Sequence, residues 1–392
     1  MLFDEFDRCY TEYRNPTEGS FEFLNRSARP EWHQVRDTLE AWFTAYPSVD
    51  AVDLRSRFRS RLDRSHYGAW WELYVFTLLS ALGFAVKVHP LVATDSRRPD
   101  FHAVGHGERI FVEAVTTASG IVDDERDPER EGWIEDAINA TESPDFFVHL
   151  DFDETGVERP SRVEVTREVD AWLSELDPDE VRKAYELIGE LPSLVVSVRD
   201  WKLRLRAIPK SRRPDGNDVG AAPRRLVGAG PVTAGAVDDI ERIRAGIDEK
   251  RKAYGQLPDP LVVAQLCLSS TANDETISEV LFGNLAVQFH RDRPEAAHTI
   301  HQPNGIWTRP RRSMDLGVSA LLVGVEQLLP WTVGHRAPTL WTNPTEADGF
   351  SSWYPLRRIC VSDGRLVTEP ATAEPWEVLG LSPSWPSQRE PE

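Results

Sequence analysis

The sequence is poor in cysteine. Its three, Cys9, Cys267 and Cys360, lie far apart at no paired spacing. A disulfide framework and a cysteine-based zinc site are therefore excluded as organising principles, and the thiol usage fits a reducing cytoplasm. Long apolar runs are also missing. The longest, Ser319 to Trp331, is too short to span a bilayer and contains Glu326 and Gln327. The start, MLFDEFDRCYTEYR, is acidic and lacks the basic-then-apolar order of a secretory signal. A cytoplasmic protein with no membrane partner is expected. No repeat at solenoid or propeller period occurs.

What is present is ordinary globular composition: 392 residues, 40% apolar and 28% charged, enough for two domains or one elaborated domain. The net charge of −19 is unevenly spread. Residues 121–160 carry 14 acidic and 3 basic side chains, and this block is expected at the surface. Residues 199–225 run the other way, with nine Arg or Lys against three Asp. A smaller basic knot is Arg309, Arg311 and Arg312. Local basic patches can hold a polyanion even on an acidic protein, because phosphate contacts act within about a Debye length. Solvated faces are the alternative.

Apolar positions three and four apart predict helices over Arg29–Phe43 and Val52–Leu62, so residues 1–66 read as mainly helical. A stronger helix runs from Tyr67 to Leu82 and stops at Gly83. Strands are expected at Phe84–His89, Asp100–Gly105, Arg109–Val115, Phe146–Phe152, Leu194–Val198, Leu203–Ile208 and Pro260–Leu268. Helices are expected at Val163–Leu176, Asp238–Tyr254 and Glu275–Phe282. Ser211–Ala236, with five glycines and three prolines inside it, reads as loop. Its Gly228–Pro231 tract lacks the Lys-Ser/Thr ending of a phosphate loop. His290, His298 and His301 fall around Arg-Asp-Arg-Pro and read as loop histidines, and no nucleophile-elbow sequence supports Ser-His-Asp chemistry. The Trp residues from Trp307 to Trp385 suit either base stacking or core packing, and a Pro-rich tail follows from about Thr368.

The chemistry concentrates between Trp70 and Val115. Glu72 sits among Trp70, Trp71, Leu73, Tyr74 and Phe76, on a helix apolar almost all round. A carboxylate there needs a partner or a cleft, and a structural Arg would serve as well as a functional site. If His106-Gly107 form a two-residue turn, pairing partners sum to 213 and Asp100 faces Glu113. Two opposed carboxylates require protonation or a shared cation, and Mg²⁺ suits a site of one or two carboxylates with water and phosphate. An exposed hairpin with two solvated acids is the alternative. His102 shares the Asp100 face, for substrate contact or for packing.

Glu72, Gly83-Phe84 and a strand, Pro99-Asp100 and then Glu113-Ala114-Val115 resemble the PD-(D/E)xK nuclease superfamily, the restriction-endonuclease-like fold. Trp201–Lys210 and RKAYGQLPDPLVVA (Arg251–Ala264) are also similar to stretches of bacterial members of that group. The resemblance implies an α/β core of helix, three strands, helix and strand in a mixed sheet, with an α-helical N-terminal region and a large insertion. It places the N-terminal region at 1–66, the core at 67–118 and 237–345, the insertion at 119–236, and a C-terminal extension with its tail at 346–392. It implies that Asp100 and Glu113 hold Mg²⁺ or Mn²⁺ while Glu72 assists. The expected activity is hydrolysis of DNA phosphodiester bonds, with bacterial defence as the expected setting. Lys202, Arg204, Arg206, Lys210, Arg212 and Arg213 would contact nucleic acid, and a homo-oligomer is compatible with this reading.

One departure is important. The family pattern has Lys two residues after the second acid, where this chain has Val115. Either the positive charge has moved, or the chain is a catalytically inactive module binding nucleic acid or a protein partner. Lys250 is the candidate replacement. It lies on the stripe of Ile240, Ile243, Ile247 and Tyr254, whereas Arg251 and Lys252 are expected to point outwards. Snorkelling past the core is the alternative for Lys250.

Overall fold

In the computed structural model the described residues are 1–14, 18–92, 98–117, 128–141, 143–188, 191–210, 226–227, 236–254, 257–268, 272–290, 293–308, 317–325, 328–346, 350–362 and 365–387. They form a mixed α/β protein that divides into two compact units, residues 1–12, 19–120 and 234–392, and residues 13–18 and 121–233. Arg212, Arg213, the Arg309–Arg312 knot and the Gly228–Pro231 tract lie outside the described residues. No helix among the described residues is long and apolar enough to cross a membrane.

The first unit opens with helices α1 (Ser20–Arg26), α2 (Pro30–Ala45), α3 (Ala51–Phe58) and α4 (Asp63–Ala81), then strands β1 (Ala85–Val88), β2 (Phe101–Gly105) and β3 (Glu108–Thr117). The second unit holds α5 (Pro128–Ile138), β4 (Phe146–Glu154), α6 (Arg162–Glu175), α7 (Pro178–Ile188), β5 (Ser193–Val198) and β6 (Trp201–Pro209). The chain returns to the first unit with α8 (Ala236–Ala253), β7 (Leu261–Cys267), α9 (Asp274–Phe282), β8 (Leu285–His290) and β9 (Arg293–His301). It ends with β10 (Val318–Gly324), β11 (Thr339–Thr342), β12 (Arg358–Ser362), β13 (Arg365–Glu369) and α10 (Pro375–Val378).

Eight strands form one sheet in the order β1-β2-β3-β7-β10-β11-β12-β13. The pairs β1–β2 and β2–β3 are antiparallel, while β3, β7 and β10 run parallel. β7 and β10 are buried along their whole length, which is why both read as continuous apolar runs rather than alternating ones. The period of two sorts the side chains cleanly. Val112, Val262, Ala264 and Leu266 face a core built with α4, and Phe111, Val115, Val263 and Ile243 of α8 share the other. Helix α4 is sheathed on nearly every side, with Trp70 and Trp71 fully buried. The Trp71 indole N–H donates to the Ala264 carbonyl at 2.8 Å and ties the helix to the middle of the sheet.

The hairpin has the register expected from its turn, with Gly105 opposite Glu108 and Phe101 opposite Val112. His106 and Gly107 both have positive φ, 51° and 81°, the combination a two-residue turn needs to match strand twist. Helix α8 crosses β3 head to tail. A Cβ at Gly246 would lie 3.4 Å from Val115 and 3.7 Å from Thr117, and four residues later Lys250 reaches Glu113. Four helical residues rise about 6 Å and two strand residues about 6.6 Å, so helix and strand stay in step in opposite directions.

Two expectations need correction, and one open alternative is resolved. His290, His298 and His301 lie in the β8–β9 hairpin rather than in a loop. Pro294 is tolerated there because each strand of a two-stranded sheet is an edge. The stretch after residue 318 extends the large sheet by four strands, and its tryptophans are used for packing: Trp341, Trp353 and Trp385 are buried, and Trp307 donates to the Val318 carbonyl. Arg251 does not point outwards. It is buried and bridges to Asp248 at 3.3 Å.

The second unit is a three-stranded sheet, β4-β6-β5, over its own apolar cluster. Here the acidic block meets the basic patch strand against strand. Asp151 stands opposite Arg204 and Glu154 opposite Lys202. Arg204 bridges to Asp153 at 2.7 Å, and Lys202 approaches Glu154 at 3.6 Å. Glu131 departs from the surface expected of this block and is buried.

Candidate functional site

Strand β2 begins at Phe101, because continuing the ladder would place Pro99, which has no N–H, opposite Ala114. The Asp100 side chain takes over. Its Oδ2 accepts the Ala114 N–H at 2.7 Å, while the Asp100 N–H donates to Glu113 Oε2 at 3.2 Å. The two acids are thus locked together across the open end of the hairpin.

Glu113 is buried, and its other partners come from α8 and the residue just beyond it. Lys250 Nζ lies 2.8 Å from Glu113 Oε1, and the Tyr254 hydroxyl donates to Oε2 at 2.6 Å. Glu72 arrives from α4, also buried, with Tyr46 donating to Oε1 at 2.7 Å and Arg57 to Oε2 at 2.7 Å. Arg57 is the arginine partner that a buried Glu72 demanded. The same guanidinium also holds Asp53 at 2.8 Å.

The structure therefore brings Glu72, Asp100, Glu113 and Lys250 together. They line, or lie against, a cavity of about 350 Å³, within the usual range for ligand sites. Val115 turns the same way as Glu113 and packs under Gly246, so α8 fills the space above it and brings Lys250 to Glu113. Lys202, Arg204, Arg206 and Lys210 belong to the second unit, where Lys202 and Arg204 are engaged as above and Lys210 donates to the Ser143 carbonyl at 2.5 Å. His102 is stacked on Phe111 and bonded to Asp259 at 2.8 Å, which accounts for it as a packing residue.

His89 is a site residue that the sequence did not announce. It precedes Pro90 yet has a φ of 41°, in the left-handed region, where a non-glycine residue costs on the order of 1–3 kcal/mol. Its N–H donates to the Asp100 carbonyl at 2.8 Å, and Nδ1 lies 3.0 Å from Asp50. Nε2 faces Asp100 Oδ1 at 3.9 Å and Glu72 Oε1 at 4.0 Å. Only the strained backbone marks it. Nothing in the sequence around Tyr46, Asp50 or Arg57 does so either, because their roles depend on where α3 meets α4.

Electrostatically the cluster holds more negative charge than it neutralises. Burial, then Glu113, then Glu72 hold the Asp100 carboxyl well above the usual aspartate range, against the opposing pull of the Ala114 N–H and Lys250. Burial works against the Lys250 charge, but Glu113, Asp100 and Glu249 together outweigh it and hold the ammonium above its ordinary pKa. Burial together with the Glu72 charge likewise raises the Tyr46 hydroxyl, keeping it a donor. No three His, Cys, Asp or Glu among the described residues are arranged to hold a metal ion. Mg²⁺ asks for less, one or two carboxylates completed by water and phosphate. Asp100 and Glu113 are hard oxygen donors of that kind, Asp100 lining the cavity, and a cation there would share Glu113 with Lys250 on Oε1 and with Tyr254 on Oε2.

A carboxyl with a raised pKa in the folded state binds its proton more tightly there than when unfolded. Its contribution turns unfavourable as pH rises from the ordinary value of 3.8 through the folded one. Asp100→Asn keeps an acceptor for the Ala114 N–H and removes the charge. At neutral pH it raises stability by about 0.5–2 kcal/mol, and the gain fades as pH falls towards the ordinary aspartate value. Denaturation midpoints of both proteins across that range measure it, and an asparagine variant less stable at neutral pH contradicts the charge balance.

The chain matches no family model, no curated protein and no solved structure.

Proposed function

We propose that this protein is a divalent-metal-dependent nuclease hydrolysing DNA phosphodiester bonds on a restriction-endonuclease-like core. The observation that carries the reading is the Lys250 ammonium, delivered by α8 to 2.8 Å from Glu113 beside the locked Asp100–Glu113 pair. It supplies the charge whose usual strand position is held by Val115. The order of α4, three antiparallel-paired strands, α8 and the parallel strand β7 supports the same reading.

Asp100 and Glu113 would hold Mg²⁺ or Mn²⁺, which supplies positive charge to the phosphate and lowers the pKa of a water. The chain's own groups do the rest. Lys250 stays protonated at the working pH and presents N–H donors where negative charge develops on the phosphate oxygens. Tyr254 and the Asp100 N–H hold Glu113 in one orientation. Arg57 and Tyr46 fix Glu72, whose carboxylate faces the cavity and can orient water by accepting its hydrogen.

Plasmid DNA incubated with the purified protein and Mg²⁺ or Mn²⁺ tests the reading. Conversion of supercoiled to nicked or linear DNA is expected, with loss of at least about 10²-fold in Glu113→Ala. No cutting by the wild type leaves the inactive binding module as the reading, and undiminished cutting by the variant overturns the Asp100–Glu113 site.

A further inference from the structure

The cavity continues along α4 past the acid cluster. Gly68 and Arg64 stand one and two turns before Glu72, at the four-residue spacing that keeps side chains on one helix face, and all three line the cavity. Gly68 lies inside a 19-residue helix, where glycine is a poorer helix former than alanine. Packing does not demand it: a Cβ built there would meet nothing within 4 Å. The effect of the missing side chain is an open groove floor between Arg64 and Glu72.

The cations around the cavity are not equivalent. Arg57 is committed to Asp53 and Glu72, and Lys250 to Glu113. Arg64 is exposed, and it makes no ion pair with a described residue. A guanidinium with no carboxylate partner among the described residues, at the end of a groove that leads to a candidate metal site, suits a phosphate diester.

We propose that Arg64 binds a backbone phosphate of a DNA strand lying along the Arg64–Gly68–Glu72 face of α4, with Gly68 leaving room for that strand. The polyanion rests on the function proposed above. Eight helical residues rise about 12 Å, and one strand of a duplex advances about 3.4 Å per nucleotide. Arg64 therefore meets a phosphate about three to four nucleotides from the one nearest Glu72.

The test is the binding of a fluorescein-labelled duplex DNA oligonucleotide by the full chain in EDTA, by anisotropy over a salt series. Arg64→Ala should raise Kd about five- to ten-fold and flatten the slope of log Kd against log salt by about one. Arg64→Lys should fall between the two. Gly68→Leu should weaken binding while the thermal midpoint stays equal or rises, because leucine is the better helix former. Unchanged affinity and slope in Arg64→Ala overturn the subsite, even where the wild type cuts DNA. A wild type that neither binds nor cuts overturns the nuclease reading and the subsite with it. Arg64-dependent binding without cutting keeps the subsite and overturns hydrolysis.

Discussion

Lys250→Met lowers the DNA-cleavage rate by about 10²–10³-fold, the usual loss on removing one charged or hydrogen-bonding group aimed at transition-state charge. Methionine keeps the unbranched stem and a good helix propensity, so α8 should stay seated while the ammonium disappears. Glu113 then retains Tyr254 and the Asp100 N–H but loses the 2.8 Å ion pair. Removing one partner of a buried pair costs stability as well, on the order of 3–5 kcal/mol in the worst case. The measurement therefore combines single-turnover cleavage with circular dichroism, so that a lost rate is read only on folded protein. Lys250→Arg, which keeps the charge, should recover part of the rate. A folded methionine variant that cuts as fast as the wild type would show the pair to be structural only.

Trp71→Ala destabilises the first unit by about 3–5 kcal/mol, the range for deleting a large buried aromatic side chain. Trp71 is fully buried, stacks on Tyr74 at 5.4 Å between ring centroids, and donates to the Ala264 carbonyl. The deletion opens a void beside β7 and leaves that carbonyl without its indole donor. It also loosens the helix that carries Glu72, so the site degrades with the fold. Trp71→Phe keeps most of the ring contact and loses only the hydrogen bond, at about 0.5–1.5 kcal/mol. Urea titrations followed by circular dichroism rank the three proteins. An alanine variant within about 1 kcal/mol of wild type would mean that α4 is not anchored through this residue.

The sequence made the hairpin legible because its register depends on a local turn: once His106-Gly107 is the turn, Asp100 and Glu113 must meet. Lys250 was legible once Val115 stood in the family's lysine position, because it lies on the helical stripe of Ile243 and Ile247 that faces the sheet. Arg57, Tyr46 and His89 were not, because they reach the site through the docking of α2, α3 and the end of β1 on α4, which leaves no periodic trace. Arg251 was misplaced because periodicity assumes one buried face, whereas it is buried and pairs with Asp248 on the same helix. The β8–β9 hairpin was hidden by Pro294, a residue that argues against a strand except at an edge. β10 was hidden because a strand covered on both faces shows no alternation to distinguish it from any other apolar run.

The pairing of Phe111 with Leu261 joins positions 150 residues apart, 261 minus 111. On a ribosome adding about 5–20 residues per second, β3 emerges roughly 8–30 s before the strand that covers its second edge. For that interval its apolar flank is open to any other extended chain nearby. The intervening 121–233 unit has its own apolar cluster and can fold in that time. Assembly of the acid cluster is thereby postponed until α8 and β7 have been made, so no nascent fragment shorter than that can carry the complete site.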